Sequence, residues 1–244
     1  MTPRKPPLLY VLYTWLIFIP LLALLTALFG AFAILLSVLG YAHLAGRWAG
    51  RNWARLLALL TPMRVTVHGR EHIDAKQSYI IVVNHQSNYD ILVLYGWLDI
   101  DIKWVMKEEI HKIPVIGYSC EKMGHIFIDR RNTEKALHAL EKAKRRIVDG
   151  VSVIFFPEGT RSLDGNLLPF KKGAFRLAQD LGLPVLPITL VGTRDILPAR
   201  SLALMPGHAR MIIHPPIPAP DKTPAALPEL MKTARERIAS ALPE

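Results

Sequence analysis

The sequence predicts an α/β fold preceded by a membrane-embedded helical segment, and three observations predict it. From Thr61 onward, short apolar or β-branched runs alternate with segments of helical periodicity. Between Lys5 and Arg47 the chain holds no Asp, Glu, Lys or Arg. Its 244 residues suffice for one large α/β domain with a full core, and fall short of two such domains plus that apolar run. The expected division is residues 1–60 as the membrane-associated segment and 61–244 as the α/β domain.

The apolar run comes first. It is too long for the core of a cleaved signal peptide, which spans ~7–15 residues. It exceeds the ~20 residues of one membrane span but falls short of two spans and a turn. One long tilted helix or a helical hairpin sunk part-way into the bilayer would fit. Arg4 and Lys5 precede the run, and Arg47, Arg51 and Arg55 follow it. Cationic flanks prefer the cytoplasmic face, so both ends inside favours the hairpin over a single span, with the turn near Pro20 or Gly30. "RWAGRNWARLLALL", from Arg47 to Leu60, sets Trp48 and Trp53 among arginines and leucines, as expected of a helix lying in the headgroup layer.

Composition agrees. The hydrophobic fraction is 51% and the mean hydropathy +0.24, with the excess concentrated between Leu8 and Leu44. The net charge of +10 suits nucleic acid, anionic lipid or a phosphorylated substrate, and the apolar run favours lipid over nucleic acid. Cys120 is the only cysteine, which excludes an intrachain disulfide and a CxxC metal or redox site.

Strands are expected at 65–67, 79–83, 102–105, 126–128, 152–156, 185–191 and 209–213. A helix is expected over 133–148, where Ala136, Leu140, Ala143 and Ile147 share a face. Another spans 174–181, ended by Gly182 and Pro184, and a last one follows Pro228. "HPPIPAPDKTPAALP" is a proline-rich connector before that last helix.

Candidate chemistry sits where strands end. In "IIVVNHQSNYDIL" a buried strand runs into His85 and, five residues on, Asp90. On one continuous helix residues five apart point about 140° from each other, so the two cannot touch there. Across a strand-to-helix turn they can. The carboxylate then fixes the imidazole tautomer and steadies the imidazolium formed when the ring takes a proton, which makes a general base. In "VIFFPEGTRS" a second strand runs into Glu158, Gly159, Thr160 and Arg161. Glycine lets backbone approach a ligand, Glu158 can accept from a hydroxyl, and Arg161 offers a planar fork for phosphate. "GHIFIDRR" ends a third strand in Asp129, Arg130 and Arg131, adding cations. Ligands of open α/β sheets gather beyond the carboxyl ends of strands, so these loops can share one crevice.

These blocks resemble a known family. "NHQSNYD", "GHIFIDR", "FPEGTRS" and "LPVLPITL" match, in order and spacing, the four blocks of the glycerolipid acyltransferases, and look like those of the 1-acylglycerol-3-phosphate acyltransferases. The resemblance covers roughly residues 65–194. It implies a mixed, largely parallel sheet flanked by helices. It also implies transfer of an acyl group from acyl-CoA or acyl carrier protein to the sn-2 hydroxyl of lysophosphatidic acid, giving phosphatidic acid. His85 would be the base and Asp90 its orienter, with no acyl-enzyme, metal or cofactor. Glu158, Gly159, Thr160 and Arg161 would bind the glycerol phosphate. Lys107 in "KWVMKEEIHKIPVIG" matches the family's lysine near the phosphate, and Lys103 is a second candidate. Among bacterial members the place would be the inner membrane, with the catalytic domain on its cytoplasmic face.

Three rivals stand beside this reading. One is an acyltransferase of the same fold acting on another lysophospholipid or a lyso-aminolipid. Another is a metal-dependent phosphoester hydrolase, which needs more ligands than the loops supply. The last is a basic lipid-binding protein without catalysis, which leaves the strand-end loops unexplained. Cys120 reads as a structural residue, because no helix start or basic pair activates it.

Overall fold

The structure is a computed structural model that describes residues 7–243 except 130, 131, 133, 135–137, 140, 142, 143, 145, 146, 148, 200, 202, 203, 220, 222 and 224. Two antiparallel helices open the chain. The first, α1, covers Leu8–Val38; an 18-residue stretch of these 31 residues has a mean hydropathy of 2.6, and the helix is long and apolar enough to cross a membrane. After a turn at residues 39–41 the second, α2, runs over residues 42–60. Contacts between the arms march in opposite directions: the Tyr13 hydroxyl donates to Leu60 O (2.6 Å), Trp53 Nε1 to Thr26 Oγ1 (3.1 Å), and the Trp48 ring lies 5.2 Å from that of Phe32.

The two helices join at residues 39–41, not near Pro20 or Gly30. Both of those lie inside α1: Pro20 follows a wider π turn at Thr14–Phe18, which accommodates its ring, and Gly30 faces a neighbouring loop. The second arm docks on the α/β domain through one face. Arg51 pairs with Asp99, Arg55 Nε donates to Gly96 O (2.8 Å), and Ala54, Leu57 and Ala58 are buried. These side chains dock the hairpin onto the α/β domain, because one face of 51–60 is small and apolar enough to enter its core.

The 7-stranded sheet has the order β1-β7-β6-β2-β5-β3-β4. Its strands are β1 (Met63–His68), β2 (Ile80–Val83), β3 (Asp101–Lys107), β4 (Ile126–Ile128), β5 (Val151–Phe155), β6 (Val185–Val191) and β7 (Gly207–Ile213), so each expected strand is found within a residue or two of its predicted bounds. All neighbours are parallel except β6 and β7, which gives a mixed, largely parallel sheet.

Strand β2 is wholly buried because alternate residues serve two cores. Ile81 and Val83 face the side covered by α2 and by α3 (Tyr89–Trp97). Ile80 and Val82 face the side covered by α5 (Gly173–Leu181) and α7 (Ala226–Ala239). Helix α4 (Ile116–Lys122) packs against α1, and the short α6 (Thr193–Ile196) follows β6. Helix α7 begins before Pro228, not after it; a proline in the first turn lacks only an N–H that has no helical partner there. The helix expected at 133–148 lies largely outside the described residues. Because β2, β3, β4, β5 and β6 run the same way, their carboxyl ends open on one edge, where the candidate loops converge.

Candidate active site

Beyond Val83 the ladder to β6 is continued by a side chain. Asn84 Nδ2 donates to Leu190 O (2.9 Å), while Leu190 N–H donates to Asn84 Oδ1 (2.7 Å). The amide stands in for a strand residue while its own backbone turns away, and that turn carries His85 out of the sheet. Helix α3 begins at Tyr89, which places Asp90 in its first turn, where the helix dipole favours a carboxylate. His85 Nδ1 lies 2.7 Å from Asp90 Oδ2, so Nδ1 donates and Nε2 keeps its lone pair. Gln86 and Ser87 N–H also donate to Asp90 Oδ2, at 2.8 and 2.9 Å. The His85 ring stacks on Phe156, 3.8 Å between centroids at 12°. The predicted meeting of these residues across a strand-to-helix turn is what the backbone provides.

Glu158 has another place than the sequence suggests. It is 4% exposed, its Oε1 accepts from the His85 N–H (2.7 Å) and its Oε2 from the Leu168 N–H (2.9 Å). Burial holds its carboxyl above the usual carboxylate range, and the two amides pull it back. With both oxygens engaged, Glu158 clasps the His85 loop to the loop after β5. Ser162 N–H closes the same junction by donating to His85 O (2.8 Å).

His85 stands at the edge of a cavity of about 630 Å³ between the hairpin and the sheet. Apolar walls dominate, among them Phe29 and Trp53 from the hairpin, Ile91 from α3, Trp104 from β3 and Met123 after α4. Lys107, Gly159, Thr160 and Arg161 also line it. Arg161 Nη1 donates to Asn88 Oδ1 (2.9 Å). Gly159 has φ +74°, and a Cβ there would lie 2.8 Å from Lys171 Nζ, so the Lys171 side chain crosses the glycine where a side chain would block it. Among the described residues neither Arg161, Lys107 nor Lys171 has a carboxylate partner.

A family model described as Acyltransferase matches residues 64–191, more than half of the chain. The chain belongs to the acyltransferase family. A 1-acyl-sn-glycerol-3-phosphate acyltransferase of Chlamydomonas reinhardtii is 37% identical over 83% of this chain and 60% of its own. The human 1-acyl-sn-glycerol-3-phosphate acyltransferase alpha is 34% identical over 72% of this chain and 62% of its own. The chain thus spans about three fifths of the length of these curated relatives. The crystal structure of the 1-acyl-sn-glycerophosphate (LPA) acyltransferase PlsC from Thermotoga maritima superposes with a TM-score of 0.79 at 29% identity, covering 96% of this chain and 93% of that one.

Set against this acyltransferase frame, the predicted residues divide. His85 and Asp90 touch, and Lys107, Gly159, Thr160 and Arg161 gather beside them. Lys103 does not join them. It is buried in the first half of β3, paired with Asp101 at 3.0 Å, four strand residues or ~13 Å before Lys107. Arg130 lies outside the described residues. Cys120 lines the cavity, and burial pushes its thiol up to about 11, so it is no ready nucleophile. His125, behind the wall residue Tyr95, is held neutral by burial and by Lys103, its pKa lowered to about 3, and does not compete as a base. Among the described residues, no three His, Cys, Asp or Glu side chains come together as metal ligands. Lys171 and the dyad's outer partners are the site residues that sequence patterns missed, because nothing in the spacing ties them to positions 85, 90 or 159.

Proposed function

We propose that this acyltransferase moves an acyl group from an acyl thioester, of coenzyme A or acyl carrier protein, to the sn-2 hydroxyl of 1-acyl-sn-glycerol 3-phosphate, giving phosphatidic acid and a free thiol. The observation that carries the reading is the His85–Asp90 pair at a large apolar cavity that Lys107 and Arg161 also line. His85 Nε2 accepts the proton of the sn-2 hydroxyl as its oxygen attacks the thioester carbonyl. The tetrahedral intermediate expels the thiolate, and the imidazolium returns the proton to sulfur. Asp90, hydrogen-bonded to His85 Nδ1, stabilises the imidazolium between these steps. A thioester is already activated, so orientation and proton transfer are the chain's main contribution.

Lys107, Arg161 and Lys171 recognise the phosphate, with Arg161 presenting the fork. The cavity takes an acyl chain; its volume lies in the ~300–1,000 Å³ range of small-molecule sites. Each methylene kept out of water contributes ~0.8 kcal/mol, which favours a crevice held at a bilayer surface by the hairpin. Both ends of the hairpin then lie on the cytoplasmic face of the inner membrane.

The test uses the full chain in detergent with lysophosphatidic acid and a long-chain acyl thioester, following thiol release and phosphatidic acid together. Stoichiometric formation of both supports the reading. Thiol release without phosphatidic acid points to thioester hydrolysis, and a faster rate on a lysophospholipid with a larger headgroup replaces the proposed acceptor. A folded His85→Ala protein turning over near the native rate removes the base assignment.

A further inference from the structure

Asp90 is fully buried, and its two oxygens have different neighbours. Oδ2 takes His85 Nδ1 and the amides of Gln86 and Ser87. Oδ1 faces the other way and accepts a 2.5 Å hydrogen bond from the Thr193 hydroxyl. Thr193 is itself fully buried and opens α6, beyond the end of β6, more than a hundred residues from Asp90. Its burial keeps it from any substrate.

Its position is fixed from several directions. Gly192, just before it, has φ +87°, and a Cβ there would lie 2.2 Å from the His208 carbonyl oxygen, so the chain makes this bend with glycine. On the far side, Leu197 N–H donates to Thr193 O (3.0 Å), and Leu197 O accepts from Ser87 Oγ (2.6 Å), a second tie between the two loops. Ile196, between them, is fully buried. The hydroxyl is thus held where Oδ1 needs a donor.

We infer that Thr193 is a positioning residue of the reaction, acting through Asp90: its hydroxyl fixes the carboxylate plane so that Oδ2 stays aimed at His85 Nδ1. The inference rests on the reading of His85 and Asp90 as base and orienter. A buried carboxylate oxygen that loses its donor must rotate toward another or take up a proton. Either response draws Oδ2 off the imidazole and weakens the support of the imidazolium. A hydroxyl at this position, not a side chain of threonine's shape, is what the reaction requires.

The experiment compares Thr193→Val, nearly isosteric, with Thr193→Ser, which keeps the hydroxyl, in the full chain in detergent with lysophosphatidic acid and acyl thioester. Thr193→Val is expected to lower kcat by ~10–100-fold with both KM values within ~3-fold, and Thr193→Ser to stay within ~3-fold of the native kcat. In the Asp90→Asn background, Thr193→Val should change the residual rate less than ~2-fold, because residues acting as one unit are not additive. If Thr193→Val yields no folded protein, Thr193→Ala takes its place with the same expectation. A native kcat in the valine variant, equal losses in valine and serine variants, a loss confined to KM, or full additivity with Asp90→Asn each overturns the role. His85→Ala separates the two readings. If it is inactive while Thr193→Val is fully active, only the role of Thr193 falls; if it is active, the base assignment falls and this inference with it.

Discussion

On one side of the crevice mouth, all four carboxylate oxygens of Asp90 and Glu158 take donors from the protein. On the other, Lys107, Arg161 and Lys171 stand with no carboxylate partner among the described residues. On the proposed function, the difference follows from what each side would do. Proton transfer rewards a base already in its working geometry, because reorganisation during the reaction adds to the barrier. Anion recognition rewards the opposite, since a protein carboxylate resting on Arg161 would compete with the phosphate. On the proposed function, the groups that would move the proton are bonded within the protein, and the cations that would take the phosphate carry no carboxylate among the described residues.

The comparison breaks first, and most visibly, at the dyad. Asp90→Asn keeps the shape but removes the charge that supports the imidazolium, and kcat is expected to fall by ~10²–10⁴-fold with KM little changed, in steady-state assays of phosphatidic acid formation. A folded Asn variant with native kcat would show that His85 works without it.

Glu158→Gln is the next largest. The carboxamide offers one acceptor oxygen where two amides donate, and its NH₂ then meets an N–H. Loss of a hydrogen bond to a charged acceptor predicts a drop of ~10–100-fold, in kcat rather than in the KM for the acceptor. A pure rise in that KM would return Glu158 to the role of phosphate ligand.

The cation rim should respond the other way, in KM. Arg161→Lys keeps charge but loses the fork, and is expected to raise the KM for lysophosphatidic acid about tenfold; Lys171→Ala should raise it by a smaller, roughly threefold, factor. Both losses should shrink when the acceptor is a monoacylglycerol without phosphate. Equal losses on the two acceptors would make these residues structural.

The smallest effect belongs to Cys120→Ser. The thiol lines the cavity but stays protonated, since burial pushes it up to about 11, and turnover is expected to remain within ~2-fold. An acyl group trapped on Cys120, detected by intact-mass measurement, would replace direct transfer with a two-step route.

Local pattern alone determined the seven strands, the turn that joins His85 to Asp90 and the loop holding Arg161, because strand alternation and strand-end polarity are written in consecutive residues. It also marked the N-terminal run as a long apolar helix, since hydropathy is a sequence property. Tertiary structure alone decided the rest. Whether Glu158 faces substrate or backbone depends on where residue 85 arrives in space, and the loop after β5 says nothing of that. The hairpin turn fell at residues 39–41, and Arg51 and Arg55 went to Asp99 and Gly96, because the second arm packs on α3. Thr193 reaches Asp90 across more than a hundred residues, through the adjacency of β6 and β2, and Lys171 reaches Gly159 across a loop. A sequence records which groups can bond; which buried oxygen still lacks a donor is settled only when the sheet brings its strands together.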